Sequence, residues 1–123
     1  AVAERTVRSI GDVMFIFRSG TGGIMFPVGR YANDMPVLHA VEERLKERPV
    51  SPGSGLTGVA ISENRTIFTA NLAEVQDPNT RFYIEGLNFT SVLAVPIRVH
   101  GETVGALTIA SLHQPLSLKR MFW

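Results

Sequence analysis

The stretch Ser91–Ser111, SVLAVPIRVHGETVGALTIAS, decides how this chain is read. Two apolar runs, Val92–Val99 and Thr103–Ala110, flank a short His100-Gly101-Glu102 break. Runs rich in Val, Ile, Leu and Thr on either side of a few residues containing Gly are the pattern of a β-hairpin. Neither run alternates cleanly between apolar and polar residues, so both faces of this strand pair are expected to be covered. By the two-residue period of a strand, Val92, Ala94 and Pro96 share one face. On the other strand Ala106, Thr108 and Ala110 do the same. Small side chains on a covered face leave space, and larger residues opposite either fill that space or leave it for a ligand.

Working outward, Asp12–Arg18 reads as a strand from its aromatic and β-branched content. Ser19–Gly23 is a flexible turn and Ile24–Val28 the returning strand. Pro27 puts that strand at a sheet edge or marks its end. Gly29–Asp34 reads as loop. A helix follows from Pro36, with Val37, Leu38, Val41 and Leu45 on one face, Glu42 and Lys46 spaced to pair on the wet side, and Pro49 and Pro52 beyond its end. Leu56–Ser62 reads as a short helix and Thr66–Thr69 as a strand. Residues Asn71–Thr90 form a long irregular connection with helical turns around Asp77–Gly86, and such connections often carry function. Lead-in and closing helical segments are expected at Glu4–Ile10 and Leu116–Trp123. The pattern predicts one α+β domain on an antiparallel sheet, with its most apolar strands, the first and last, placed centrally.

The 123 residues fit a single domain, 1–123, able to bury a core without staples. The short closing segment suggests a piece of a longer multidomain protein. With 12 basic and 11 acidic residues the net charge is +1, so nothing points to nucleic acid or an anionic membrane as a partner. The absence of cysteine removes disulfides, thiolate nucleophiles and covalent thioether cofactors, and it fits a reducing, cytoplasmic setting.

Few residues suggest chemistry. Gly53-Ser54-Gly55-Leu56-Thr57-Gly58 has G-x-G-x-x-G spacing, but a charged helical segment precedes it where a dinucleotide fold needs a buried strand. A loop with a helix cap is the better reading. His39, His100 and His113 are dispersed and have no second metal ligand at suitable spacing. No nucleophile elbow or base–acid pair is recognisable, so no catalytic residue or metal site is assigned. Arg81, Phe82 and Tyr83 combine a cation, apolar area and a phenol, which suits ligand contact as well as it suits a core plug with a wet rim. Asn71 and Asp77 flank them as ligand contacts or as turn formers.

The ordered motifs from Pro52 to about Pro115 resemble the GAF domain family, with a weaker match through the first hairpin. They are Ser54-Gly55-Leu56-Thr57-Gly58-Val59-Ala60, the Ile67–Asn71 strand, Asp77-Pro78 with Arg81-Phe82, Gly86–Ile97, and Gly101-Glu102-Thr103-Val104-Gly105-Ala106-Leu107. The resemblance implies a PAS-like antiparallel sheet of five or six strands flanked by helices. It also implies a pocket between that sheet and Asn71–Thr90, and terminal helices that pair with a second copy as a homodimer. Members are sensory modules of signalling proteins such as the histidine kinases of two-component systems, phosphodiesterases, nucleotide cyclases and transcription activators. Lacking cysteine, this chain cannot hold a covalent bilin or run the cysteine chemistry of the methionine-sulfoxide reductase branch. The Asn-Lys and Asp-Glu pairs of cyclic-nucleotide binders are missing from Asp77–Glu85. For haem only His113 offers an axial ligand, and no cofactor is expected.

The expected function is therefore a non-catalytic sensor that binds a small molecule and relays the signal through its terminal helices. The pocket candidates are Phe68, Asn71, Asp77, Arg81, Phe82, Tyr83, Val92, Ala94, Thr108 and Ala110. The alternative is a ligandless dimerisation and relay module in which Phe68, Phe82, Leu87 and Phe89 fill the space over Ala94, Ala106 and Ala110.

Overall fold

The computed structural model describes residues 12–112. Five strands form one antiparallel sheet: β1 (Val13–Ser19), β2 (Met25–Ala32), β3 (Ile67–Thr69), β4 (Ser91–Val99) and β5 (Glu102–Ser111), in the order β2-β1-β5-β4-β3. The Ser91–Ser111 hairpin supplies the centre, with β5 in the middle and β1 and β4 beside it. Its turn is tight because His100 and Gly101 both take positive φ, at 52° and 82°. This is the geometry that matches the twist of the flanking strands.

Strand β2 runs further than the sequence suggests. The returning strand continues through Gly29–Ala32, which the sequence reading assigns to loop. A bulge explains the extension. Ile16 pairs with Gly29 and Phe17 with Pro27, so Val28 is the extra residue and Pro27 lies on an edge strand.

Three α-helices are present among the described residues: α1 (Met35–Glu47), α2 (Gly55–Glu63) and α3 (Pro78–Ile84). Asp34 caps α1 by accepting from the Val37 N–H at 3.1 Å, with Pro36 in the first turn. The helix buries Leu38, Val41 and Leu45 against Val13, Phe15, Phe17 and Met25 of the sheet. Its charges pair differently from the expected Glu42–Lys46 contact. Glu42 takes Arg30 of β2 at 2.5 Å and Lys46 takes Glu43 at 3.2 Å. The Arg30 pair ties α1 back to the sheet edge, which an intrahelical pair would not do.

Helix α2 lies over the hairpin. Ala60, fully buried, packs with Ala94 and Ile67. The long connection between β3 and β4 holds a 3-10 turn at Leu72–Glu74 and then α3, which Asp77 caps. Asp77 accepts from the Thr80 N–H at 3.0 Å and from the Thr80 hydroxyl at 2.8 Å. The opposite sheet face carries a second apolar cluster in which Met14, Leu93 and Ile109 are buried. The lead-in and closing helical segments, with His113, lie outside the described residues.

Candidate functional site

A cavity of about 90 Å3 lies between the sheet and the segment that joins β3 to β4. Its floor is the face built from alternate residues of three strands. Register aligns Val13 with Ala110 and Phe15 with Thr108, and places Val92 opposite Ala110. Phenylalanine on β1 thus stands beside small residues on β5, and the small residues leave the hollow. Val41 and Leu45 of α1 form one wall, and Ser54–Thr57, at the start of α2, form another. Leu72, Thr80, Tyr83, Ile84 and Phe89 make the roof.

The turn before α2 shapes the second wall. Gly55 sits at φ +73°, a conformation that L side chains rarely adopt. At Gly58 a Cβ would stand 2.2 Å from the Ser51 carbonyl oxygen, so the helix can lie this close to the preceding loop only without a side chain there. The G-x-G-x-x-G spacing is therefore a packing requirement of a loop and helix start. Helix α1 and its trailing loop precede the motif, as the sequence context indicates.

The polar groups on the cavity wall are few, and most have partners. The Thr57 and Thr108 hydroxyls are hydrogen-bonded at 2.8 Å across the gap between α2 and β5. Thr80 gives its hydroxyl proton to Asp77. Tyr83 donates its phenolic proton to the Arg48 carbonyl, and the Tyr83 carbonyl accepts from Arg44 at 3.2 Å. Both bonds fasten the roof to α1 and the residue that ends it. Burial raises the Tyr83 pKa, and the nearby Arg48 charge opposes that shift. Among the described residues no charged side chain lines the cavity, and no group of three or more His, Cys, Asp or Glu is placed to hold a metal ion.

Four of the ten residues selected from sequence line this cavity: Tyr83, Val92, Thr108 and Ala110. The other six sit elsewhere, each for a local reason. Ala94 shares the floor face but is sealed beneath Ala60 of α2. Phe68 lies on the opposite face with Met14 and Leu93, because alternation in β3 turns it away from Ile67. Phe82 stacks under the Arg48 guanidinium, 4.2 Å from its ring centroid. The Arg81 guanidinium reaches the Leu72 carbonyl at 3.4 Å and Glu85 at 2.8 Å. Asp77 caps α3 and Asn71 is exposed.

The sequence reading missed the contribution of β1 and α1. Val13, Phe15 and Phe17 alternate along one strand, and Val41 and Leu45 share a helical face. Those periodicities identify core residues without saying which of them border a gap.

The space over the small residues is partly filled. Phe89 packs with Leu72, Val92 and Ala110, and Ala106 is sealed within the cluster that includes Phe17. Phe68 and Phe82, offered from sequence as fillers, are on the far face and at the rim. The open volume is what remains around Thr108 and Ala110.

Comparison with known proteins agrees with this architecture. A family model described as GAF domain matches residues 3–118. Among solved structures, the GAF domain of a phosphoenolpyruvate-protein phosphotransferase from Coxiella burnetii is similar, with TM-score 0.73 and 17% identity, covering 97% of this chain and 68% of that one. The type II free methionine-R-sulfoxide reductase of Thermoplasma acidophilum is similar with TM-score 0.72 and 15% identity, covering 96% and 74%. An NreA protein of Staphylococcus aureus mutated in its nitrate-binding site has TM-score 0.70 and 18% identity, covering 94% and 85%. These identities speak for a shared fold. No curated protein matches the sequence.

Proposed function

Since the chain belongs to the GAF domain family, whose members are typically sensory or regulatory ligand-binding modules, we propose that it is a non-catalytic sensor that binds a small molecule in the cavity between β5 and α3. The observation that carries this reading is the cavity itself: about 90 Å3 kept open over Thr108 and Ala110. The roof is one short helix and its flanking loops. Its ties to the body include the Tyr83–Arg48 and Arg44–Tyr83 hydrogen bonds. A ligand that fits better when the roof is closed shifts the roof toward closure, and it can do so only by that difference in affinity. We place the output in terminal helices that pair in a homodimer, within a cytoplasmic signalling protein such as a histidine kinase. Neither nucleic acid nor membrane contact belongs to the proposal. Two structural relatives are named as methionine sulfoxide reductases, but with no cysteine in the sequence this chain has no thiol to run a thiol-based reduction.

A second reading has its own support, since Ala94 and Ala106 are fully buried beneath protein side chains. It makes the domain a ligandless dimerisation and relay module in which the residual hollow is a packing defect. A thermal-shift and native mass-spectrometry screen of a metabolite library separates the two. The sensor reading expects at least one compound that raises Tm and adds a discrete mass, and an Ala110→Leu variant that loses both effects while staying folded. A screen in which no compound does either favours the relay module.

A further inference from the structure

We propose that the cavity selects a small, uncharged, largely apolar molecule carrying one hydrogen-bonding oxygen, of the kind represented by short-chain alcohols and ketones. This rests on the reading of the cavity as a ligand site and adds the chemistry of its occupant.

Three observations converge on that class. The first is size. A closed apolar cavity of about 150 Å3 accepts a benzene molecule, and the volume here is about 90 Å3. Nucleotides, tetrapyrroles and large aromatic metabolites cannot be enclosed in that volume without displacing the roof.

The second is charge. The floor and walls are Val, Leu, Ile and Phe side chains with a few hydroxyls, and no charged side chain of the described residues lines them. The cations that touch or belong to the roof are committed elsewhere. Arg81 serves Leu72 and Glu85, Arg44 serves the Tyr83 carbonyl, and Arg48 stacks on Phe82. An anion or ammonium entering this space would be desolvated with no counter-charge, which disfavours it strongly.

The third is the placement of the one hydroxyl pair that bridges the cavity wall. Thr57 and Thr108 share a single hydrogen bond. Whichever hydroxyl donates, the other keeps a proton of its own, and both keep lone pairs. Among the described residues no other hydrogen bond engages either side chain, and both residues line the hollow. A ligand oxygen can take that spare proton, while its alkyl body lies against Val92, Ala110 and Phe15.

The test is methyl and amide NMR titration of the chain with 2-butanone, isobutanol, butyrate, nitrate, isobutylamine and cyclopentane. The expected result is saturable shifts at Thr57, Val92, Thr108 and Ala110 with the ketone and the alcohol. The carboxylate, nitrate and the amine should bind at least tenfold more weakly. Thr108→Val should weaken the ketone about tenfold and leave cyclopentane unchanged; Thr57→Val is the second variant should the first fail to fold. Butyrate, nitrate or isobutylamine binding as well as the ketone at these residues overturns the inference and leaves the sensor reading standing. Equal affinity of wild type and Thr108→Val for the ketone overturns the role of the hydroxyl pair. Absence of shifts with every probe overturns the inference, and the metabolite screen then decides separately whether the cavity is a ligand site.

Discussion

The Tyr83 side chain holds two elements together through one hydroxyl. Its proton goes to the Arg48 carbonyl just beyond α1, while its ring meets Phe82 edge-on at 5.4 Å. Tyr83→Phe keeps the ring and loses the donor, so it is expected to cost about 1 kcal/mol, the usual net value of such a bond. The pH dependence of that difference is a sharper check. Burial raises the phenol's pKa above 10.0 in the folded chain. The unfolded chain therefore releases this proton first as pH rises. The contribution of Tyr83 to stability is complete below pH 10 and fades as pH climbs through the folded-state value, where the phenolate can no longer donate. Urea denaturation of wild type and Tyr83→Phe from pH 6 to pH 11 should show their gap closing only at the alkaline end. A gap that closes between pH 6 and pH 8 would mean that another group controls it. In the sequence Tyr83 stands with Arg81 and Phe82 as a set that suits ligand contact as well as it suits a core plug with a wet rim. Only the turn of α3 assigns Tyr83 inward, Phe82 to the Arg48 stack and Arg81 to Glu85.

At the scale of elements, the Ser91–Ser111 hairpin carries small residues that look alike in sequence and differ in what covers them. Ala94 and Ala110 share a sheet face, yet Ala94 is fully buried under Ala60 while Ala110 borders the cavity. Enlarging each tests the difference. Ala94→Leu forces α2 off the sheet and is expected to destabilise by about 1–3 kcal/mol, the range for overpacking a filled core. Ala110→Leu projects into open volume and should cost distinctly less, with Tm near that of the wild type. Equal losses in the two variants would mean that the hollow is closed in solution. The same pair shows where the sequence is legible. Strand content, the hairpin and the amphipathic face of α1 follow from local periodicity and turn chemistry, and all are present. The length of β2 was hidden because a bulge at Val28 restores register after Pro27, and pairing partners are non-local. The cavity lining was hidden for the same reason. Which alanine meets α2 and which meets empty space depends on where α2 crosses the strands, and neither helix nor strand period encodes that crossing.

Across the molecule, stability is expected to be uneven in a way that bears on function. Strands β1, β5 and β4 pair along most of their lengths and carry Met14, Leu93 and Ile109 buried on one face with Val13, Phe15 and Phe17 on the other. Strand β3 contributes three paired residues at the edge, and the connection that follows it is the roof. The roof's helix has seven residues, too short to be stable alone, so its order derives from packing on Leu72, Val92 and Ala110 and from the Tyr83 bonds. Regions with few buried apolar contacts and short hydrogen-bond ladders open at lower free energy than the core. Amide hydrogen exchange should therefore rank β5 and β1 slowest and Pro78–Ile84 among the fastest of the regular elements. A molecule seated in the cavity touches the roof and the floor at once. Exchange in β5 requires global unfolding, which loses the molecule, so β5 should be slowed by the full factor that binding supplies. Exchange in Leu72–Phe89 should be slowed by the same factor if opening the roof releases the molecule. Slowing of β5 with Leu72–Phe89 unchanged would mean that the roof opens with the molecule still seated, and equal slowing of the two is the signature that distinguishes a gate coupled to a sensor from a core that happens to contain a void.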